Sequence, residues 1–173
     1  MALVFQYGSN ISSDRLNSPD RLQGDAVPVG IARTMDDFEL DFTVWSRSNS
    51  CAAADILPGA GRKVWGVLYE IPDYLIKRDT AGGRRSLDAI EGEGTNYRRV
   101  HIALEDARGT PIENDVITYV AITRRAGLRT SLEYCHHIIS GLQQHDVPSH
   151  YIDYVKERIV ANNPGLRDEV KQL

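Results

Sequence analysis

Cysteine is scarce in this sequence: Cys51 and Cys135 are the only two in 173 residues. So sparse a supply argues against a disulfide-stapled secreted scaffold, and a reduced, cytoplasmic setting is expected. One long-range Cys51–Cys135 disulfide is the lesser alternative. Long apolar runs are missing too. No stretch approaches the roughly 18 to 20 residues that a membrane span needs. No basic segment precedes a long apolar one at the start, so no signal peptide is expected. Positive charge is not in excess: Lys and Arg number 20 against 24 Asp and Glu, a formal net charge of -4. That balance supplies no field for nucleic acid or for an anionic membrane, so neither is expected as a partner. There is no GxxxxGK phosphate loop and no GxSxG elbow, which removes two common routes to nucleotide and serine-hydrolase chemistry. Repeats and low-complexity linkers are absent as well. With 42% apolar residues, the chain can bury a sizeable core, and a single domain over residues 1–173 is expected.

What is present reads as strands in the middle and helices at the end. "LVFQY" is strand-like, and "SSDRLNS" has a helical turn with Ser12 or Ser13 as N-cap. In "FELDFTVWS", Phe38, Leu40, Phe42 and Val44 alternate onto one face. "NSCAAADILPGAG" is mixed, with a turn at "PGAG". "KVWGVLYEIP" is the clearest strand, and Pro72 ends it. "DYLIKRDTA" looks helical, with Asp73 as its cap. "RRSLDAIEGEG" is a short helix closed by Gly92. "YRRVHIALED" and "DVITYVAIT" are strands, and two helices broken at Pro148 complete the chain. This order predicts an α+β fold whose sheet curls toward a barrel.

Several stretches could carry chemistry. In "QYGSN", a glycine able to take positive φ could gather N–H groups into a nest for a carboxylate or phosphate. An ordinary strand-to-helix turn is the competing explanation. In "SLDAIEG", helical spacing puts Leu87, Ile90 and Glu91 on one face, from which Asp88 can turn away. Burial beside apolar residues and the negative end of the helix both oppose ionisation of Glu91, which suits a general base. A glutamate on the rim of a surface helix is the plain alternative, and Glu93, past Gly92, is expected to be exposed. Gly66 inside a strong strand marks a close approach, by packing in the first instance. Tyr97 and Tyr119 could each direct a hydroxyl into a pocket, or simply pack. The run "CHH", Cys135 to His137, has the residue types of a metal site. Adjacent helical side chains diverge by about 100°, however, and no further ligand stands at suitable spacing, so no metal is expected.

The stretches "YGSN", "VWGVLYEI", "LDAIEG" with "YRR", "TYVA" and "HHIISGLQQHDVPSHYIDYV" follow one another in an order that resembles the γ-glutamylcyclotransferase-like family, over about Phe5 to Val155. The resemblance implies a small mixed β-barrel flanked by helices. It implies that Tyr7, Gly8, Ser9 and Asn10, with Ile11 next, hold the amino-acid end of a γ-glutamyl group. Tyr97 and Tyr119 would line the same pocket, and Glu91 would be the catalytic acid-base. The implied reaction is release of 5-oxoproline from a small-molecule γ-glutamyl amine or amino acid, without metal or cofactor. A non-catalytic module binding a small molecule in the same pocket is the alternative. Neither the leaving group nor an oligomeric state follows from these residues.

Overall fold

The structure is a computed structural model that describes residues 1–173. Eight strands form: β1 (Ala2–Gln6), β2 (Val27–Thr34), β3 (Phe38–Ser46), β4 (Cys51–Pro58), β5 (Trp65–Ile71), β6 (Tyr97–His101), β7 (Leu104–Asp106) and β8 (Val116–Ala121). Helices are α1 (Ser13–Leu16), α2 (Leu87–Glu91), α3 (Leu132–Gln144), α4 (Ser149–Asn162) and α5 (Arg167–Val170). The main sheet has the order β6-β8-β1-β5-β2-β7, and β3 and β4 make a separate antiparallel pair. No helix is long and apolar enough to cross a membrane.

The sheet must curl. Laid flat, β6 and β7 would stand about 24 Å apart at roughly 4.8 Å per neighbouring strand. Only Ile102 and Ala103 separate them in the chain, a reach of at most about 11 Å. Both link residues are tied to opposite edges. The Ile102 N–H donates to the Val116 carbonyl, and the Ala103 carbonyl accepts from Met35 N–H, each at 3.0 Å. No ladder joins β6 to β7. The fold is thus the mixed α+β one that the sequence predicts, with its edges brought together by a two-residue link.

β1 sits inside this sheet, antiparallel to β5 and parallel to β8. Gly66 lets β1 and β5 press together: a Cβ there would collide with the Gln6 carbonyl and stand 2.7 Å from the Phe5 ring. Its close approach is packing, as expected. A comparable contact fixes the helical layer. A Cβ at Gly141 of α3 would lie 2.6 Å from the Ser12 nitrogen, so only glycine lets α3 approach the turn after β1 so closely. Ser12 caps α1 by accepting from Arg15 N–H.

Three local expectations need correction. Residues 51–58, expected as mixed, form a strand in which Cys51 to Ile56 are all buried. Small alanines and one charged residue hide its apolar character. Asp55 is fully buried because Arg124 pairs with it at 2.6 Å and Ala121 N–H donates to it at 2.9 Å. The segment after Pro72 makes only a single 3-10 turn, Asp73–Leu75, with no side-chain cap. The Asp73 carboxylate instead pairs with the Met1 amino group. "YRRVHIALED" is two strands, β6 and β7, which pair with β8 and β2 respectively.

Candidate active site

β1 and β8 form the sheet's parallel pair, so their carboxyl ends emerge side by side. A cup opens there. Gln6, Tyr7, Gly8, Ser9 and Asn10 from the end of β1 line it with Thr118 and Tyr119 of β8. Ala54, Glu91, Tyr97 and Tyr134 complete the wall. Its volume is about 30 Å³, space for one or two water-sized groups, such as the two oxygens of a carboxylate. Ser9, Asn10, Glu91, Tyr97 and Tyr134 also border a wider outer cleft of about 520 Å³. Glu91 therefore stands at the junction of the two spaces.

Helix α2 places Glu91 there. Ser86 accepts from Ala89 N–H at 3.1 Å and starts the helix. Gly92, at φ 70°, ends it in a left-handed turn, a conformation that favours glycine. Asp88 holds the helix to the sheet. It is buried, receives Arg99 Nη1 on both oxygens at 2.6 and 2.7 Å, and accepts from the Tyr119 hydroxyl at 2.7 Å. Asp88 does turn away from the apolar face of Leu87 and Ile90. It turns into the protein, however, and becomes the anchor.

Glu91 has a different environment. Its Oε1 accepts from Asn10 Nδ2 at 2.8 Å, and Asn10 Oδ1 in turn accepts from Arg21 Nη1 at 2.9 Å. The residue is half-buried, yet burial is the largest influence on its proton and raises its pKa. The Asn10 hydrogen bond and the charges of Arg21 and Arg15 pull the other way without cancelling it. The Gln6 amide pulls in that direction too, although its buried nitrogen has no partner at hydrogen-bonding distance. Gln6 Nε2 is a free donor on the cup wall. Glu93 is half-buried rather than exposed.

The loop departs from the expected nest. Gly8 has φ -97° and ψ -151°, extended backbone rather than positive φ. A Cβ there would meet Ala54 and the Tyr134 hydroxyl at 3.5 Å, an ordinary contact distance. What the loop offers is unpaired donors: the N–H groups of Tyr7 and Gly8 make no hydrogen bond within the protein. Ile11 does not join the cup. It is fully buried in the core, and its N–H is already donated to the Gly8 carbonyl at 3.0 Å.

The tyrosines line the cup with their rings while their hydroxyls are used elsewhere. Tyr97 donates to the Ala54 carbonyl at 2.6 Å, Tyr7 to the Tyr119 carbonyl at 2.5 Å, and Tyr119 to Asp88. Burial pushes the Tyr7 and Tyr97 hydroxyls well above their ordinary value and Tyr134 up to about 12. All stay protonated at neutral pH. Gln6, Ala54, Thr118 and Tyr134 are site residues that sequence reasoning missed. Tyr134 shares a helix face with Ile138, which reads as core. No group of three His, Cys, Asp or Glu side chains comes together as a metal site, and the His136 and His137 rings tilt 60° apart.

No curated protein matches the chain. Among solved structures, one described as gamma-glutamyl cyclotransferase superimposes with a TM-score of 0.75 at 24% identity, covering 90% of this chain and 86% of that one. An uncharacterized protein from Homo sapiens gives 0.74 at 24% identity over the same shares. YkqA from Bacillus subtilis gives 0.69 at 22% identity, covering 91% of this chain and 54% of its own. At such identities the likeness is one of fold. A family model described as AIG2-like matches residues 63–155, more than half of the chain and the part that contains β5, α2, Glu91, Tyr97 and Tyr119. The chain belongs to the AIG2-like family, with the fold of the γ-glutamyl cyclotransferase structures.

Proposed function

We propose that the protein is a γ-glutamyl cyclotransferase, with Glu91 as its acid-base. The observation that carries this reading is the position of Glu91, a carboxylate of raised pKa at the junction of a carboxylate-sized cup and an open cleft. The α-carboxylate of a γ-glutamyl group fits the cup, where the Tyr7 and Gly8 N–H groups and Gln6 Nε2 are unpaired donors. The chain of the substrate then passes Glu91, and its leaving part lies in the cleft.

The chemistry needs little more. Ionised Glu91 takes a proton from the substrate's α-ammonium. The freed amine attacks the γ-carbonyl carbon, a C–N bond forms, and a five-membered ring closes. The proton held by Glu91 passes to the leaving nitrogen as the original amide C–N bond breaks, and the ring nitrogen releases the second proton it still carries after its attack to solvent, leaving the neutral lactam. The products are 5-oxoproline and a free amine or amino acid. Because nucleophile and electrophile share one molecule, holding the chain folded supplies a large effective concentration. A base with a raised pKa accepts the ammonium proton more readily and can still return it.

The test is incubation of the protein with a panel of γ-glutamyl dipeptides and γ-glutamyl amines, with mass spectrometry of both products. The expected result is 5-oxoproline and the partner amine in equal amounts from at least one member. Binding without any release would instead favour a module that holds such compounds and leaves them intact.

A further inference from the structure

We infer that the outer cleft selects γ-glutamyl compounds whose leaving part carries oxyanions, a phosphate or carboxylates. This rests on the reading of the inner cup given above and adds the substrate class. Arg15, Arg21, Arg47, Arg85 and Arg125 all line the cleft, while Glu91 is the only acidic residue among its walls. That is a concentration of positive charge in a chain whose net charge is -4.

The arginines of the cleft are short of partners. Only Arg85 has a carboxylate within ion-pair distance, Asp20 at 3.7 Å, and both side chains are well exposed. By contrast, Arg33, Arg84, Arg99, Arg124 and Arg158 each face an Asp or Glu elsewhere in the molecule. Arg15 spends one nitrogen on Asn49 at 2.7 Å, and its Nε is buried with no hydrogen bond at all. Arg21 is half-buried and bonded to the neutral Asn10 amide. Arg15 and Arg21 also lie close enough to repel one another. A bound oxyanion would supply what these groups lack, since guanidinium groups hold carboxylates and phosphates through paired, charge-assisted hydrogen bonds. The same field repels a polyamine or other cationic leaving part.

The test measures affinity by calorimetry on the full chain carrying Glu91→Gln, so that ligands stay intact, with 5-oxoproline release by the unaltered protein followed in parallel. The probes are γ-glutamyl-glutamate, the γ-glutamyl amide of phosphoethanolamine, γ-glutamyl-butylamine and γ-glutamyl-putrescine. At low salt the better of the two anionic probes should bind at least about tenfold more tightly than the butylamine compound, each exposed charge contact contributing about two- to fivefold. The putrescine compound should bind weakest. Arg47→Gln with Arg125→Gln should cut the anionic advantage to about threefold, as should 0.5 M salt. Both residues are exposed and in no ion pair, so the fold is not at risk. The tighter anionic probe assigns phosphate or carboxylate. Anionic preference without 5-oxoproline release sustains the inference and sinks the catalytic reading. Release with no anionic preference, an advantage untouched by the double substitution, or no binding by either anionic probe overturns the inference.

Discussion

Helix α2 carries two carboxylates, three residues apart, in opposite surroundings. Asp88 is met by a guanidinium on both oxygens and by a tyrosine hydroxyl. Glu91 is met by one neutral amide, with the nearest guanidinium held one residue further away by Asn10. Both are enclosed by protein, so enclosure alone does not distinguish structural from chemical carboxylates. Pairing does. A carboxylate whose charge is answered by a guanidinium and a hydroxyl serves to hold a helix. One whose charge is only partly answered keeps a raised proton affinity and faces the cavity.

The contrast can be broken first at Glu91. Glu91→Gln should leave a folded protein that releases 5-oxoproline at least about a hundredfold more slowly in a single turnover, the usual scale of general acid-base help. The same change should raise stability at alkaline pH. Folded wild type holds the Glu91 proton more tightly than the unfolded chain does, so its stability falls as pH climbs from the unfolded value, about 4.3, through the raised folded one. Thermal melts should therefore show the variant's advantage at pH 8 and little of it at pH 4.

At Asp88 the expectation reverses. Asp88→Ala leaves Arg99 without its partner and should lower stability by about 3 kcal/mol, the low end for a broken buried pair because Arg99 reaches solvent. Urea unfolding would read this, and a loss below about 1 kcal/mol would contradict the anchoring role.

Asn10→Ala sharpens the comparison by making Glu91 less answered still. Losing the hydrogen bond moves the Glu91 pKa further up, so the acid limb of the pH profile for kcat/KM should shift to higher pH. On the acid side of that limb the rate should fall by up to about tenfold, on the roughly 1.5 kcal/mol of a hydrogen bond to a charged group. Stability should change far less than at Asp88. A limb that stays in place would mean that Asn10 does not tune this carboxylate. The smallest effect belongs to Glu93→Gln, at most about threefold in rate, since its side chain makes no hydrogen bond and lies outside both cavities.

The readable features were those with local causes. Strand alternation, the closure of α2 at Gly92 and the placement of Glu91 on the Leu87 face all follow from neighbours within one or two turns. The ordered stretches from the first turn to α4 carried the fold. The unread features depend on contacts far apart in the chain. Asp88 finds Arg99 and Tyr119 only after β6 and β8 come into register. Tyr97 and Tyr119 spend their hydroxyls on groups that no spacing rule brings near. Gly8 can take positive φ, but the path from β1 to α1 is extended there. β4 escaped notice because Asp55 is made burial-tolerant by Arg124, well along the chain. The arginines of the cleft come from α1, the turn after it, the β3–β4 turn, the segment before α2 and the loop after β8, so no stretch of sequence shows them as a group.

The interior position of β1 has a consequence for synthesis on the ribosome. Phe5 of β1 is bonded to Thr118 of β8, 113 residues later. At about 5 to 20 residues per second, the first strand waits on the order of ten seconds before that neighbour exists. Until β5 is made both edges of Leu3, Val4 and Phe5 lack partners, and until β8 is made one edge stays open, the kind of template on which nascent chains pair wrongly. The cup is built from the end of that strand and from β8, so it is among the last parts of the molecule to be assembled. Shielding of that open strand during those seconds is then a condition for reaching the finished fold that no contact in the finished fold supplies.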